Sequence, residues 1–331
     1  MSLIERAGDI ERLFKSRSFV IESPGLIAKK QPDGRVQLNV KPKSIPQAAA
    51  PPPPPLAQLF FVAVENLNAI YGYTAAGAPA VPFASLTEPI GVAASSTRVL
   101  ATQYETQNVN AIDNLGNVTV LASIPGSGPK ERYIAIAPSQ SSAAGFTPGD
   151  IFVSQGTEIY KIKSDGSSVT LFATISDADV DHTGLTFDKV GTFGNKLIAT
   201  SINGKIWKVD SGGGSTLLVD TGKYIEGPAV APSDFGTYAG QLLVADENNG
   251  QVHAIDNAGS VTLDVFDWSG AEAVVVILSS FAGLTGILVD SEFGSGIANI
   301  SWNGSSYDIN FFDSIFDALM EGACFVDPDI P

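Results

Sequence analysis

The stretch from Glu226 to Asp246 reads Glu-Gly-Pro-Ala-Val-Ala-Pro-Ser-Asp-Phe-Gly-Thr-Tyr-Ala-Gly-Gln-Leu-Leu-Val-Ala-Asp, and its opening recurs six times between Gln58 and Pro331. In each copy an acidic or imidazole side chain comes one to three residues before a short apolar segment. These leading positions are Glu88, Glu131, His182, Glu226, Glu272 and Glu321. Successive positions are 43, 51, 44, 46 and 49 residues apart. Repeats of this length are typical of the four-stranded blades of a β-propeller.

Polar turn sequences close the later part of several repeats. Examples are Asp113-Asn-Leu-Gly-Asn and Asp256-Asn-Ala-Gly-Ser. Asp, Asn and Gly reach positive φ at low cost, so these segments predict hairpins between the third and fourth strands of a blade. We therefore interpret these Asp and Asn residues as turn residues.

The first repeat has only three strand segments, whereas the C-terminus has a surplus leading segment after Glu321. We expect residues 323–326 to enter the first blade as its innermost strand. Such closure removes two exposed sheet edges, which would otherwise invite aggregation. The sequence thus predicts an all-β, six-bladed β-propeller closed by its C-terminal strand.

A separate arm precedes the propeller. Residues 3–15 have helical apolar spacing, and a Pro32-Asp-Gly turn predicts a β-hairpin. The predicted organisation is an arm of helix and hairpin over 1–43, a Pro-rich linker over 44–57 and the propeller over 58–331. Two interpretations of the arm remain open: a cap on its own propeller, or a docking arm for a second copy or another protein.

Charge is unevenly distributed. Residues 1–57 contain nine basic and five acidic residues, a net +4, which leaves −20 on residues 58–331 from the total of −16. Such an acidic body disfavours nucleic acid and anionic membranes, and favours cations, basic surfaces or neutral ligands. No apolar run is long enough to span a membrane and no signal peptide is seen, so we expect a cytoplasmic protein, with leaderless export as the alternative.

The six leading side chains should meet at one mouth of the channel, because equivalent positions of the inner strands converge there. Two carboxylates about 6 Å apart at an effective dielectric of about 20 repel by roughly 3 kcal/mol. Three compensations are possible: Ca²⁺ or another divalent cation, protonation, or hydrogen bonding as a structural latch. A cation would be bound by Glu88, Glu131, His182, Glu226, Glu272 and Glu321.

The segments His182-Thr-Gly-Leu-Thr-Phe-Asp and Glu226-Gly-Pro-Ala-Val-Ala-Pro, with Leu242-Leu-Val-Ala-Asp-Glu-Asn, resemble uncharacterised bacterial six-bladed propellers. These are similar in pattern to NHL-repeat, gluconolactonase and strictosidine-synthase-like propellers. The resemblance covers about residues 58–331 and implies a channel-mouth metal. Gluconolactonases bind it through Glu, Asn and Asp, and virginiamycin B lyase has a catalytic His. A glutamate ring with one histidine departs from both ligand sets.

Two functions follow from these patterns. The first is a non-enzymatic interaction or assembly propeller that docks through residues 1–43 to a protein partner or to itself, with a divalent cation at the channel mouth. The second is a metal-dependent hydrolase or lyase, lactonase-like, that acts at the channel with His182 as the candidate catalytic base. A coordination position left open to solvent would distinguish the enzyme from the binding protein.

Overall fold

The computed structural model describes the backbone of residues 20–23, 26–30 and 36–40. It also describes residues 56–175, 181–277, 281–292 and 296–330, apart from the side chains of Gln58, His182 and Thr183. The chain forms two compact parts, an N-terminal part, Met1–Pro52, and a C-terminal part, Pro53–Pro331.

The N-terminal part contains a three-stranded antiparallel sheet. Its strands are β1 (Val20–Ser23), β2 (Leu26–Lys30) and β3 (Val36–Val40), in that order. The hairpin predicted around Pro32 is confirmed, because β2 pairs antiparallel with β3. The helix predicted over residues 3–15 lies outside the described residues.

The C-terminal part is built almost entirely from strands. In chain order they are β4 (Gln58–Val64), β5 (Ala69–Thr74), β6 (Gly77–Ser85), β7 (Pro89–Ser95), β8 (Val99–Gln103), β9 (Asn108–Ile112), β10 (Val118–Ser123), β11 (Ile134–Ile136), β12 (Ile151–Gln155), β13 (Glu158–Ile162), β14 (Val169–Thr174), β15 (His182–Phe187), β16 (Leu197–Ser201), β17 (Lys205–Val209), β18 (Ser215–Asp220), β19 (Glu226–Val230), β20 (Leu242–Asp246), β21 (Gln251–Ile255), β22 (Val261–Asp267), β23 (Ala271–Val276), β24 (Ile287–Ser291), β25 (Ile297–Trp302), β26 (Tyr307–Asp313) and β27 (Met320–Asp327). Two short 3₁₀ helices, Ser139–Ala144 and Gly236–Tyr238, interrupt the loops.

Strand pairing divides these described strands into six four-stranded antiparallel groups, which we call units one to six. Units three to six are separate sheets of consecutive strands, from β11–β14 to β23–β26. Unit two is β7–β10, and unit one is β4–β6 with β27 inside it. β27 pairs antiparallel with β4, with Cys324 opposite Phe61 and Phe325 opposite Phe60. The predicted closure by the C-terminal strand is therefore confirmed.

The first strands of the six units surround a common channel. A central cavity is lined by residues of β7, β11, β15, β19, β23 and β27. A short parallel pairing joins β27 to β7, with Val326 opposite Ala94. The expectation that the leading segments converge on one axis is confirmed by this arrangement.

The core lies between neighbouring units. Phe146, Phe193, Phe235 and Phe281 occupy the loops after the leading strands and are all at least 95% buried. Phe281 of unit six packs edge-on against Phe60 and Phe325 of unit one, with ring centroids 5.9 and 5.0 Å apart. Aromatic contacts of this kind add to the burial of apolar area, so they stabilise the seam where the ring closes.

The polar turns have the predicted structural role. Asp113 Oδ1 accepts hydrogen bonds from the backbone N–H groups of Leu115 and Asn117, at 2.8 and 3.0 Å. Asp256 Oδ1 makes the equivalent contacts in unit five. These side chains satisfy turn backbone and are not available as ligands at the channel.

Candidate functional site

The acidic side chains at the channel mouth are positioned by bulges at the start of the inner strands. Pairing skips residues between Glu226 and Ala229, and between Ala271 and Val274. A bulge re-aims the side chains at the end of a strand. Here it turns Glu226 and Glu272 toward the channel axis, where they meet.

Glycine at these bulges lets adjacent inner strands approach closely. A Cβ on Gly227, which has φ +39°, would lie 2.3 Å from Ala273 Cα of the next unit. A Cβ on Gly322 would lie 2.6 Å from the carbonyl oxygen of Ile90. The backbone approach that only glycine allows brings the leading carboxyls of neighbouring units within contact distance.

Three of the predicted glutamates form one hydrogen-bonded group with a tyrosine. Glu226 and Glu272 share a side-chain hydrogen bond. The Tyr133 hydroxyl lies 2.9 Å from Glu226 Oε2 and 3.1 Å from Glu131 Oε2. A hydrogen bond between two carboxyl groups requires a proton on one of them. The group is therefore held together by at least one shared proton.

Sequence reasoning missed a second set of acidic residues at the same mouth. Glu65, Glu247 and Glu292 follow the second strands of units one, five and six. Glu247 and Glu292 share a side-chain hydrogen bond. One ligand atom from each of Glu226, Glu247 and Glu272 lies within 4.8 Å of the other two. The predicted strand order was enough to locate them. Because the first two strands of a unit are antiparallel, the second strand ends at the mouth where the first strand begins.

Burial and mutual repulsion raise the pKa values of these groups. Burial is the larger cause at Glu226, whose pKa rises to about 7, and at Glu321, whose pKa rises to about 10. The pKa of Glu292 rises to about 9, from burial and from Glu247. The pKa of Glu272 is raised well above its usual range by burial and Glu226. The apo cluster therefore carries far less charge at neutral pH than its composition implies.

The remaining predicted positions stand apart from this contact group. Glu321 is 6% exposed, and the charges of Glu131 and Glu226 contribute, after burial, to its raised pKa. Glu88 is half-buried, and its charge raises the pKa of Glu65 after the larger effect of burial. Its Oε2 atom is buried without a hydrogen-bond partner. The His182 side chain is outside the described residues, so its predicted metal and catalytic roles stay predictions.

Basic side chains do not neutralise the mouth within the described ranges from 56 to 330. There, no Lys or Arg forms an ion pair with any of the eight carboxyls Glu65, Glu88, Glu131, Glu226, Glu247, Glu272, Glu292 and Glu321. Lys130 pairs with Asp181 at 2.7 Å. The buried Arg132 guanidinium donates to Gln155 and to backbone carbonyls, including those of Gly128 and Tyr104. Nearby cations are thus committed elsewhere.

One further carboxyl, Asp290 in β24, is completely buried behind the mouth. Its Oδ1 accepts a hydrogen bond from the backbone N–H of Ala273 at 2.7 Å, and its Oδ2 has no partner. In units two and three the hydroxyls of Thr102 and Ser154 accept the equivalent bond. Burial raises the pKa of Asp290 to about 8. Protonated Asp290 therefore takes the place in unit six that a hydroxyl group has in units two and three.

Two further residues, His253 and Asp181, have partners outside the mouth cluster. His253 is buried in β21, where Nδ1 accepts from the backbone N–H of Asp264 and Nε2 lies 3.1 Å from Asp246 Oδ2. In the acidic run at 177–181, only Asp181 is described, and it pairs with Lys130.

Comparison with known proteins supports the fold. No protein-family model matches the sequence, and the search of curated proteins gave no match. Among solved structures, a chain of a nidogen/laminin complex aligns over 82% of this chain and 98% of its own, with 15% identity and a TM-score of 0.58. The chain is a β-propeller. Virginiamycin B lyase from Staphylococcus aureus aligns over 77% and 84%, with 13% identity and a TM-score of 0.53.

A functionally unknown protein from Desulfotomaculum acetoxidans is also similar, with 14% identity, 80% and 84% coverage and a TM-score of 0.50. At these identities the likeness shows the fold alone. The resemblance to NHL-repeat and gluconolactonase propellers stays a prediction. Across the described residues, no helix has the length and apolar content needed to cross a membrane.

Proposed function

We propose that this propeller is a non-enzymatic binding protein that holds a divalent cation at its channel mouth and assembles with a protein partner through residues 1–43. The cation proposal rests on the oxygens of Glu226, Glu247 and Glu272, which lie within 4.8 Å of one another. Oxygens bound to one Ca²⁺ at about 2.4 Å can be at most about 4.8 Å apart.

The donor set favours a hard cation. All the candidate ligands described at the mouth are carboxyl oxygens, and Ca²⁺ accepts six to eight oxygens in tolerant geometry. Glu131, Glu292 and Glu321 surround the three closest carboxyls and can complete the coordination. A bound cation would supply the positive charge that no described lysine or arginine supplies there, and would fix the relative positions of units five and six.

Calcium is expected to stabilise the protein at pH 8. At 100 times the dissociation constant the gain is about 2.7 kcal/mol, which for a domain of this size raises Tm by roughly 5–10 °C. The paired variant Glu226→Gln/Glu272→Gln should lose this shift, whereas Asp234→Asn, which changes an exposed carboxyl in the loop after β19, should keep it. Thermal melts with EDTA, Ca²⁺, Mg²⁺ and Mn²⁺ make the measurement. The cation proposal fails if no ion shifts the wild-type Tm and the purified protein contains no metal.

The assembly proposal is supported by charge. Residues 1–57 carry a net +4 and residues 58–331 carry −20, so the arm of one copy is complementary to the acidic body of another. Deleting residues 1–55 should leave a folded propeller that no longer assembles. Its sedimentation coefficient should be lower than that of the full-length protein by more than the lost mass of the arm explains. Analytical ultracentrifugation at low and high salt measures this change, and an unchanged oligomeric state rules out docking of the arm onto a second copy.

A metal-dependent hydrolase or lyase is the second candidate. It is favoured by the apolar cavity of about 290 Å³ directly below the mouth, beside Tyr133 and Glu321. A substrate carbonyl could there approach a cation at the mouth. Both candidate functions predict that the paired glutamine variant loses the calcium-dependent shift in Tm. Only the enzyme predicts turnover of lactone substrates.

A further inference from the structure

The channel below the acidic mouth is an apolar cavity with polar ends. Its volume is about 290 Å³ and its wall comes from the inner strands of all six units, with residues such as Val92, Ile134, Leu185 and Val274. Tyr133 and Glu321 lie at the mouth end. Lys189 and Asp327, which form an ion pair, also line the cavity, and the rest of the wall offers an elongated aliphatic group an apolar surface.

Glu321 is the link between this cavity and the acidic cluster. It is 6% exposed and lines the cavity. Within the described part of the chain its carboxyl makes no hydrogen bond or ion pair, whereas Glu226, Glu272 and Glu131 all have hydrogen-bond partners. The carboxyl thus faces the channel without a partner from the described protein, and at the head of a cavity it can accept from a ligand that donates to it.

We propose that the channel binds a primary alkylammonium ion, with the ammonium group among the carboxyls at Glu321 and the alkyl chain along the channel. An ammonium group has three N–H donors and a positive charge, which are what the mouth lacks. The aliphatic chain removes apolar surface from water as it enters the cavity. At roughly 30 Å³ for each water-sized group, the cavity holds about ten non-hydrogen atoms. The best ligand therefore has a chain of six to nine carbons.

This binding is separate from the proposed divalent-cation function, because it requires no metal. The two ligands share the same carboxyls, so they should compete. An alkanol or an alkanoate of equal length fits the apolar wall but lacks the three N–H donors and the positive charge of the ammonium head. Charge selectivity together with chain-length dependence is the signature that distinguishes this site from nonspecific apolar binding.

The test is calorimetric titration of the full-length protein in EDTA with butyl-, hexyl-, octyl- and decylammonium. Affinity should increase about fourfold for each added methylene until the channel is filled, and should stop increasing by decyl. Hexanol and hexanoate should bind at least tenfold more weakly than hexylammonium. Equal binding of hexanol and hexylammonium, or no binding of any amine, overturns the proposal.

Two variants locate the site. Glu321→Gln should weaken every amine at least tenfold and keep the methylene increment. Cys324→Leu, at a half-buried position that lines the cavity, should abolish the increment for the longer chains and spare butylammonium. Amine binding with no calcium shift would refute only the cation function, and a calcium shift with no amine binding would refute only this inference.

Discussion

Ending the chain after Met320 should abolish the cooperative unfolding transition of the whole propeller. The missing segment contains most of β27, whose Phe325 and Val326 are each 7% exposed, and also Ile330, which is 8% exposed. Burying a large apolar side chain contributes about 1.5–3 kcal/mol, so these three alone contribute roughly 5–9 kcal/mol. Domain stability is typically about 5–15 kcal/mol, and the truncation also exposes the edges of β4 and β7. Circular dichroism melts and dye binding to exposed apolar surface measure the loss.

A shorter truncation provides the matched control. Removing residues 329–331 keeps β27 but loses Ile330 and the hydrogen bonds from Ser139 to the carbonyl oxygen of Asp329. This variant should retain a single transition with a lower Tm. A synthetic peptide of residues 320–331 added to the long truncation should restore the transition, because closure is non-covalent. If the long truncation melts within a few degrees of the wild type, the C-terminal strand does not hold the ring closed.

The closure was predictable because it depends on strand number and apolar pattern. A first repeat short of one strand and a surplus segment after Glu321 together indicate where β27 pairs. The polar turns were predictable for a similar reason: Asp and Gly at hairpin positions act through local backbone geometry. The turns are encoded by residues close in sequence, and the closure is encoded by the number of apolar strand segments in the repeats.

The composition of the mouth was only partly predictable. The repeat located Glu226 and Glu272 correctly at one mouth, but their contact depends on bulges that shift pairing before Ala229 and Val274. Glutamate follows only three of the six second strands, at Glu65, Glu247 and Glu292, so no complete acidic repeat marks these positions. Asp290 is the clearest example, since its neutral latch role depends on complete burial beside Ala273. Burial and bulges arise from tertiary packing and leave no local pattern.

In the absence of divalent cations, the free energy of unfolding should fall by more than about 4 kcal/mol between pH 5 and pH 8, because Asp290 alone contributes roughly that much. Burial raises the pKa of Asp290 to about 8 and that of Glu226 to about 7. The folded state therefore binds more protons at these groups than the unfolded chain does, from about pH 4 up to their folded pKa values. Stability from a raised carboxyl is fully present below its unfolded pKa and is lost as pH rises through the folded pKa. Urea titrations in EDTA from pH 5 to pH 9 measure this slope.

The variant Asp290→Asn assigns part of the slope to one group. Asparagine keeps an oxygen to accept from the Ala273 N–H and replaces the protonated oxygen with an N–H donor, so it copies the neutral acid without titrating. Each proton bound only by the folded state contributes about 1.4 kcal/mol per pH unit, so the fall in stability between pH 5 and pH 8 should be smaller in the variant than in the wild type by about 4 kcal/mol. It should be more stable than the wild type at pH 8, while Asp234→Asn should follow the wild-type curve. A free energy of unfolding that rises from pH 5 to pH 8 in EDTA would contradict a protonated mouth. Carboxyls that are ionised and stabilised in the folded state would make stability increase with pH.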